Sequence, residues 1–211
     1  MAVTERSYHH GDLNQTLRMS AADLIAERGA GGFSLREVAR RAGVSHAAPA
    51  HHFGDVTGLL TAVATDAFIH LHANTAAAWE HTDGTAVDRF AAVGRAYVEL
   101  GVSHPGHCAV VFRQDLIRGD DPEYMVEATK AYAVLNDALV AVAAEVNPDL
   151  DIDLAAATSW SAMQGLIELR PILLKQEQGH ARVVPEHDVT IGDLAERISR
   201  MLVDGFRPRS A

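Results

Sequence analysis

Apolar residues along this chain recur every three or four positions, and no stretch alternates apolar with polar long enough to make a strand. The pattern predicts an all-α protein. Leu13, Leu17, Ala21 and Leu24 stand at i, i+4, i+8 and i+11, so they share one face of a first helix running from about residue 11 or 12 to 28. Gly29, Gly31 and Gly32 end it. Ser34-Leu35-Arg36-Glu37 reads as a capping box, in which the Ser hydroxyl accepts the amide N–H three residues on while Glu37 reaches back to the Ser34 amide. It opens a short second helix that ends near Ala42. Gly43 supplies a tight turn, Ser45 offers a second N-cap, and a third short helix reaches about His52.

Farther along, Asp55 or Thr57 caps a long fourth helix through Phe68 and Leu71 to about Trp79, and His81-Thr82-Asp83-Gly84 breaks it. Helices over 85–104, 105–117 and 122–146 follow, with Pro105, Pro122 and Pro148 marking joints. The last two run over about 151–178 and 189–206, separated by a loop at 179–187, and 207–211 is a fraying tail. Two short helices joined through Ala39, Gly43 and Val44 describe a helix-turn-helix. Ala39 must be small for the third helix to cross it closely, and Val44 plugs the gap beneath the corner.

With 48% hydrophobic and 22% charged residues among 211, the chain has enough apolar material for a packed core. Disorder is therefore not the expectation. A lone Cys108 cannot form an internal disulfide, and the N-terminus lacks the apolar stretch of a secretory signal. No run of 18 apolar residues is free of charges or breakers, so a cytoplasmic protein with no membrane span is expected. The formal charge of −10 argues against nucleic acid until its distribution is considered. Residues 1–54 hold six Arg against five acids, a net +1, whereas the remainder holds 12 basic residues against 23 acids, a net −11. Five of the twelve His lie in that same head: His9, His10, His46, His51 and His52. A near-neutral head on an acidic body meets DNA by the head, because the body is repelled.

The string His10-Gly11-Asp12-Leu13, continuing through Phe33-Ser34-Leu35-Arg36-Glu37-Val38-Ala39-Arg40-Arg41-Ala42-Gly43-Val44-Ser45-His46-Ala47-Ala48-Pro49 to His52-Phe53, closely resembles the DNA-binding head of the tetracycline-repressor (TetR) family of bacterial transcription regulators. The likeness covers about residues 8–68. It implies a helix-turn-helix head at 1–54, a fourth helix linking from about 55, and a ligand-binding and dimerisation domain of about six helices over 55–211. It also implies a non-enzymatic homodimer, expected to act as a repressor, that binds operator DNA and is released by a small molecule. Trp160 and Gly165 are similar to the Trp-His-Gly signature of one branch of the family, with Gln164 where His is usual.

Residues at the start of a recognition helix reach base edges, so Ser45, His46 and Ala47 are candidate readers, with His51 one to two turns on. Ala47 suits a thymine methyl, and a Ser hydroxyl or His nitrogen bonds either base or phosphate. Arg36 is the leading candidate for a DNA contact, and Ser34 with the amides behind it suits phosphate. Arg40 and Arg41 read as solvated surface, His52 either packs locally or faces DNA, and His9-His10 reads as an arm. Ala50 stands where the family usually has Tyr and Val56 where it usually has Lys, both of them phosphate-holding positions. Compensation by His51 or Arg6 is one outcome; the other is a protein of the same fold with weakened DNA binding that acts as a sensor or interaction module.

In the body, Tyr97, Phe112, Trp160, Gln164 and Glu168 are the candidate effector-binding residues, Gln164 and Glu168 sharing a face next to Trp160. Leu154, Thr158, Ser161 and Gly165 line one side of the penultimate helix and Leu194, Ile198, Met201, Leu202 and Gly205 one side of the last, a stripe suited either to a two-fold four-helix interface or to the chain's own core. Catalysis is not expected: His70 and His72 point to opposite sides of a helix, and His-Glu-x-x-His and Gly-x-Ser-x-Gly are absent. Cys108, flanked by apolar residues, reads as packing. No catalytic residue, metal or cofactor is assigned, and the effector is unspecified.

Overall fold

A computed structural model describes the backbone of residues 4–174 and 189–208, with side chains from 13 to 173 and from 189 to 208. Among the described residues there are nine helices and no strand: α1 (Thr4–Arg28), α2 (Leu35–Ala42), α3 (Ala48–Phe53), α4 (Val56–His81), α5 (Ala86–Ser103), α6 (Pro105–Val111), α7 (Pro122–Val146), α8 (Ile152–Leu174) and α9 (Ile191–Phe206). They form two compact units, one of residues 1–69 with 104–128 and the other of 70–103 with 129–211. These packing units do not coincide with a division at residue 54, because α6 and the start of α7 pack with the head.

In the first unit, Leu17, Ala21, Leu24 and Ile25 of α1 are buried with Val38 and Ala39 of α2 and Leu59, Leu60, Val63 and Ala64 of α4. This is the apolar stripe read from the sequence, with Leu13 at its half-buried end. α6 lies against α1 so closely that a Cβ on Gly106 would stand 1.9 Å from the Ala22 carbonyl oxygen. Only glycine permits that approach.

Several boundaries differ from the periodicity. α1 starts at Thr4, earlier than the Gly11-Asp12 signal. α6 stops at Val111 instead of running to 117, because the Arg113 N–H turns back to Val110 O and its guanidinium takes both oxygens of Asp115, at 2.9 and 2.8 Å. A pair two residues apart cannot face itself along a helix, so it closes a turn there. The expected loop at 179–187, the last residues assigned to the eighth helix and the end of the tail lie outside the described residues. α4 is long and apolar enough to cross a membrane by length and composition alone, but it carries Asp66 and half of that window is buried within the protein.

The second unit has two apolar clusters. Phe90, Leu139, Val142, Ala156 and Val203 centre one; Val98, Met163, Leu166, Leu194 and Ala195 centre the other. α5 and α9 cross where a Cβ on Gly94 would come 2.4 Å from Ser199 Oγ. The inward face of α9 is therefore Ile191, Ala195, Ser199 and Val203. Of the stripe read on that helix, Leu194 belongs to the chain's own core and Ile198 packs against it, while Met201 is 65% exposed.

Candidate functional site

The head's turn is built by its caps. Ser34 is extended (φ −126°, ψ 158°); its Oγ accepts from the Glu37 N–H at 3.4 Å, and its own N–H donates to Glu37 Oε2 at 2.9 Å, which completes the capping box. The Ser34 hydroxyl also donates to Glu37, at 3.1 Å, and Arg28 donates to the other carboxylate oxygen at 2.8 Å. Ser34 first and Arg28 next hold the Glu37 carboxyl below its usual range. The Ser34 side chain is thus engaged in the cap. Gly43 takes the left-handed conformation (φ 69°) that a side chain resists, and the Val44 N–H returns to Ala39 O at 3.0 Å.

The third helix begins later than expected. Ser45 does not cap it; its carbonyl accepts from Ala48 N–H in a preceding turn, and Ala47 (φ −82°, ψ −21°) occupies the N-cap with no side-chain bond. Pro49, buried in the first turn and lacking an N–H, sets that start. Ser45, His46 and Ala47 are exposed in the turn leading into α3, and His51 is exposed on it. His52 is half-buried between the rings of His51 and Phe53, at 5.5 and 6.1 Å. Arg18 stands 6.0 Å over Phe53 and donates to Asp66 of α4 at 2.7 Å, joining the end of α3 to α1 and α4. Arg36 is exposed on α2. The side chains of Arg6, His9 and His10 lie outside those described.

At the start of α4, Asp55 is the cap: its Oδ1 accepts from the Gly58 N–H at 2.7 Å. Both its oxygens also accept from Arg118 Nη2, at 2.9 and 2.8 Å, and the Gly58 amide followed by the Arg118 charge holds the Asp55 carboxyl low. The Arg118 N–H in turn donates to Thr61 Oγ1 at 2.9 Å. A guanidinium therefore stands beside the entry to α4, where position 56 is valine. Local pattern offered no signal for it, since Arg118 lies 63 residues away along the chain.

In the second unit, four of the five candidate effector-binding residues form a hydrogen-bonded chain. The Trp160 indole N–H donates to Tyr97 Oη at 2.8 Å, the Tyr97 hydroxyl to Gln164 Oε1 at 2.9 Å, and Gln164 Nε2 to Glu168 Oε1 at 3.0 Å. Trp160 and Glu168 are exposed, Tyr97 and Gln164 half-buried. Phe112 is not among them: it caps the C-terminus of α6 in the first unit and is exposed there. Among the described residues, no three His, Cys, Asp or Glu side chains group as metal ligands. Burial pushes the Cys108 thiol up to about 11, away from the reactive thiolate.

Three helices in a rigid cap, the second and third joined by a glycine turn, followed by a helical C-terminal domain, define a helix-turn-helix DNA-binding regulator. Residues 18–63 match the model of bacterial regulatory proteins of the tetR family, and residues 90–171 that of tetracyclin repressor-like C-terminal domains. The chain belongs to the tetR family, whose members are transcriptional regulators and not enzymes. A Rhodococcus protein of unknown function shares 26% identity at a TM-score of 0.73, over 97% of this chain and 100% of that one. The TetR family regulator PfmR of Thermus thermophilus shares 18% at a TM-score of 0.68 (92% and 99%), and the Mycobacterium tuberculosis ketosteroid regulator KstR2 18% at 0.65 (93% and 95%). No curated protein matches the chain.

Proposed function

We propose that this protein is a repressor that binds a two-fold operator as a homodimer and leaves it when a small molecule occupies the C-terminal domain. What carries this is the exposure of Ser45, His46, Ala47 and His51 on a cap held by capping box, glycine turn and buried α1 core. Those four side chains enter the major groove, Arg36 grips the backbone, Ser34 and the first amides of α2 face phosphate, and His52 holds the end of α3 in place.

Dimerisation uses the outward side of α8, joined by Met201 and Gly205 of α9. Leu154, Thr158, Ser161, Gly165, Leu169 and Ile172 recur at helical spacing over about 27 Å. Leu154 and Ile172 are each 65% exposed, and a Cβ at Gly165 or Gly205 would meet nothing within 4 Å. Apolar residues in a row, interrupted by small ones, suit close approach of a second copy. The effector docks at the Trp160-Tyr97-Gln164-Glu168 chain, where an indole and a phenol supply apolar area and the amide and carboxylate supply orientation.

Selection of duplexes from a random pool, followed by footprinting, tests this. Two protected half-sites one turn apart, about 34 to 36 Å between centres, released by a small molecule, are expected. Binding to duplex of any sequence alike, with no selected site, would refute the repressor and favour the weakened-binding alternative.

A further inference from the structure

The arginines of the head fall into two kinds. Arg18 is tied to Asn14 and Asp66, at 2.7 Å each, and Arg28 to Glu37 at 2.8 Å. Arg41 holds both oxygens of Glu27, at 2.6 and 2.9 Å, and stands 3.6 Å from Asp23. Their charges are balanced inside the protein. Among the head arginines whose side chains are described, those of Arg36 and Arg40 are exposed and make neither hydrogen bond nor ion pair.

Their position on α2 separates them further. Each helical residue turns about 100°, so Arg36 and Arg40 lie about 40° apart around the axis and about 6 Å apart along it. Val38 and Ala39 point inward. Glu37 and Arg41 share the neighbouring face, which α1 occupies through Arg28 and Glu27. Arg36 and Arg40 therefore share the flank that α1 leaves open.

Building on the DNA-binding reading of the head, we infer that Arg40 is a phosphate-binding residue and forms with Arg36 a two-arginine clamp on the DNA backbone. An unpaired guanidinium offers its whole fork of donors to a phosphate. Arg41 would first have to give up two bonds to Glu27. Such a clamp fixes register and orientation without reading bases. It also places two uncompensated cations on a head whose net charge is only +1.

Anisotropy titrations of a labelled duplex of about 30 base pairs, three helical turns, measure this between about 50 and 200 mM salt. Arg36→Gln and Arg40→Gln should each lower the slope of log affinity against log salt by about 0.9, and together by about 1.8. Arg40→Lys should keep the slope, and Arg41→Gln should leave it near that of the unaltered protein. Melting curves of Arg36→Gln, Arg40→Gln and Arg40→Lys should superimpose on that of the unaltered protein, since neither Arg36 nor Arg40 has an internal partner to lose. An Arg40→Gln slope equal to that of the unaltered protein would overturn the clamp, as would an equal loss in Arg41→Gln, which would mark a general charge effect. No salt-dependent binding by the unaltered protein would instead overturn the DNA-binding reading itself, and the clamp with it.

Discussion

Gly106→Ala tests how tightly α6 is bound to the head. The added methyl would stand 1.9 Å from the Ala22 carbonyl oxygen and 2.7 Å from its carbon, against an ordinary contact of 3.4 Å or more. The two helices must part locally by about 1.5 Å, and the atoms in the way are backbone, which has no rotamer to escape into. Overpacking of this kind costs about 1–3 kcal/mol, partly offset by the gain of about 0.5–1 kcal/mol from replacing a helical glycine with alanine. The net loss of about 1–2 kcal/mol corresponds to a melting temperature lower by about 2–8 °C for a chain of this size. Far-ultraviolet circular dichroism melts at fixed protein concentration measure it. Gly31→Ala is the control: its Cβ meets nothing within 4 Å, so it should melt like the unaltered protein. If Gly106→Ala melts as high as that control, α6 does not sit against α1 at this distance and the first compact unit is wrongly composed.

Ser34→Ala removes the acceptor for the Glu37 amide and should destabilise by about 1 kcal/mol, seen as a lower melting temperature and weaker operator binding. The Asp88 carboxyl, lowered to about 2 by Thr85 first and Arg200 next, binds its proton more readily unfolded than folded. Its stabilisation is therefore full above the ordinary carboxylate pKa of about 4 and is lost as pH falls from there toward 2; the melting temperature should drop across that window, and less steeply in Asp88→Asn. Leu154→Glu, on the exposed row of α8, should shift the protein from dimer to monomer in size-exclusion chromatography with light scattering and abolish two-half-site footprints. Tyr97→Phe deprives the Trp160 indole of its acceptor and should alter tryptophan emission and weaken effector release of DNA without changing operator affinity in the effector's absence.

Where a structural feature depends on neighbours in sequence, it was legible beforehand. The Ser34-Glu37 box spans four residues and the Gly43 turn rests on one, so α2 and the corner behind it appear as read. α7 coincides with its predicted bounds because Pro122 starts it locally. α3 starts later than the cap type of Ser45 suggests, because the buried Pro49 decides where helical bonding begins. Trp160, Gln164 and Glu168 share a face of α8 by spacing, whereas the hydrogen bonds that bring Tyr97 to them depend on α5 crossing α8. Phe112 belongs by type alone to the apolar candidates, and its place at the C-terminus of α6 is set by the turn that ends that helix.

Helical periodicity, caps and breakers are short-range physics, and they suffice to lay out an all-α chain with a helix-turn-helix at its head. Charge balance belongs to a different scale. Arg40 and Arg41 are adjacent and identical in type, yet one is free and the other bound, because Glu27 approaches α2 from a helix fourteen residues upstream. Arg118 reaches Asp55 across 63 residues, and Gly106 meets Ala22 across 84, contacts that no local window contains. A side chain's available charge and a glycine's necessity both depend on what packing brings beside them, and packing is decided by the chain as a whole.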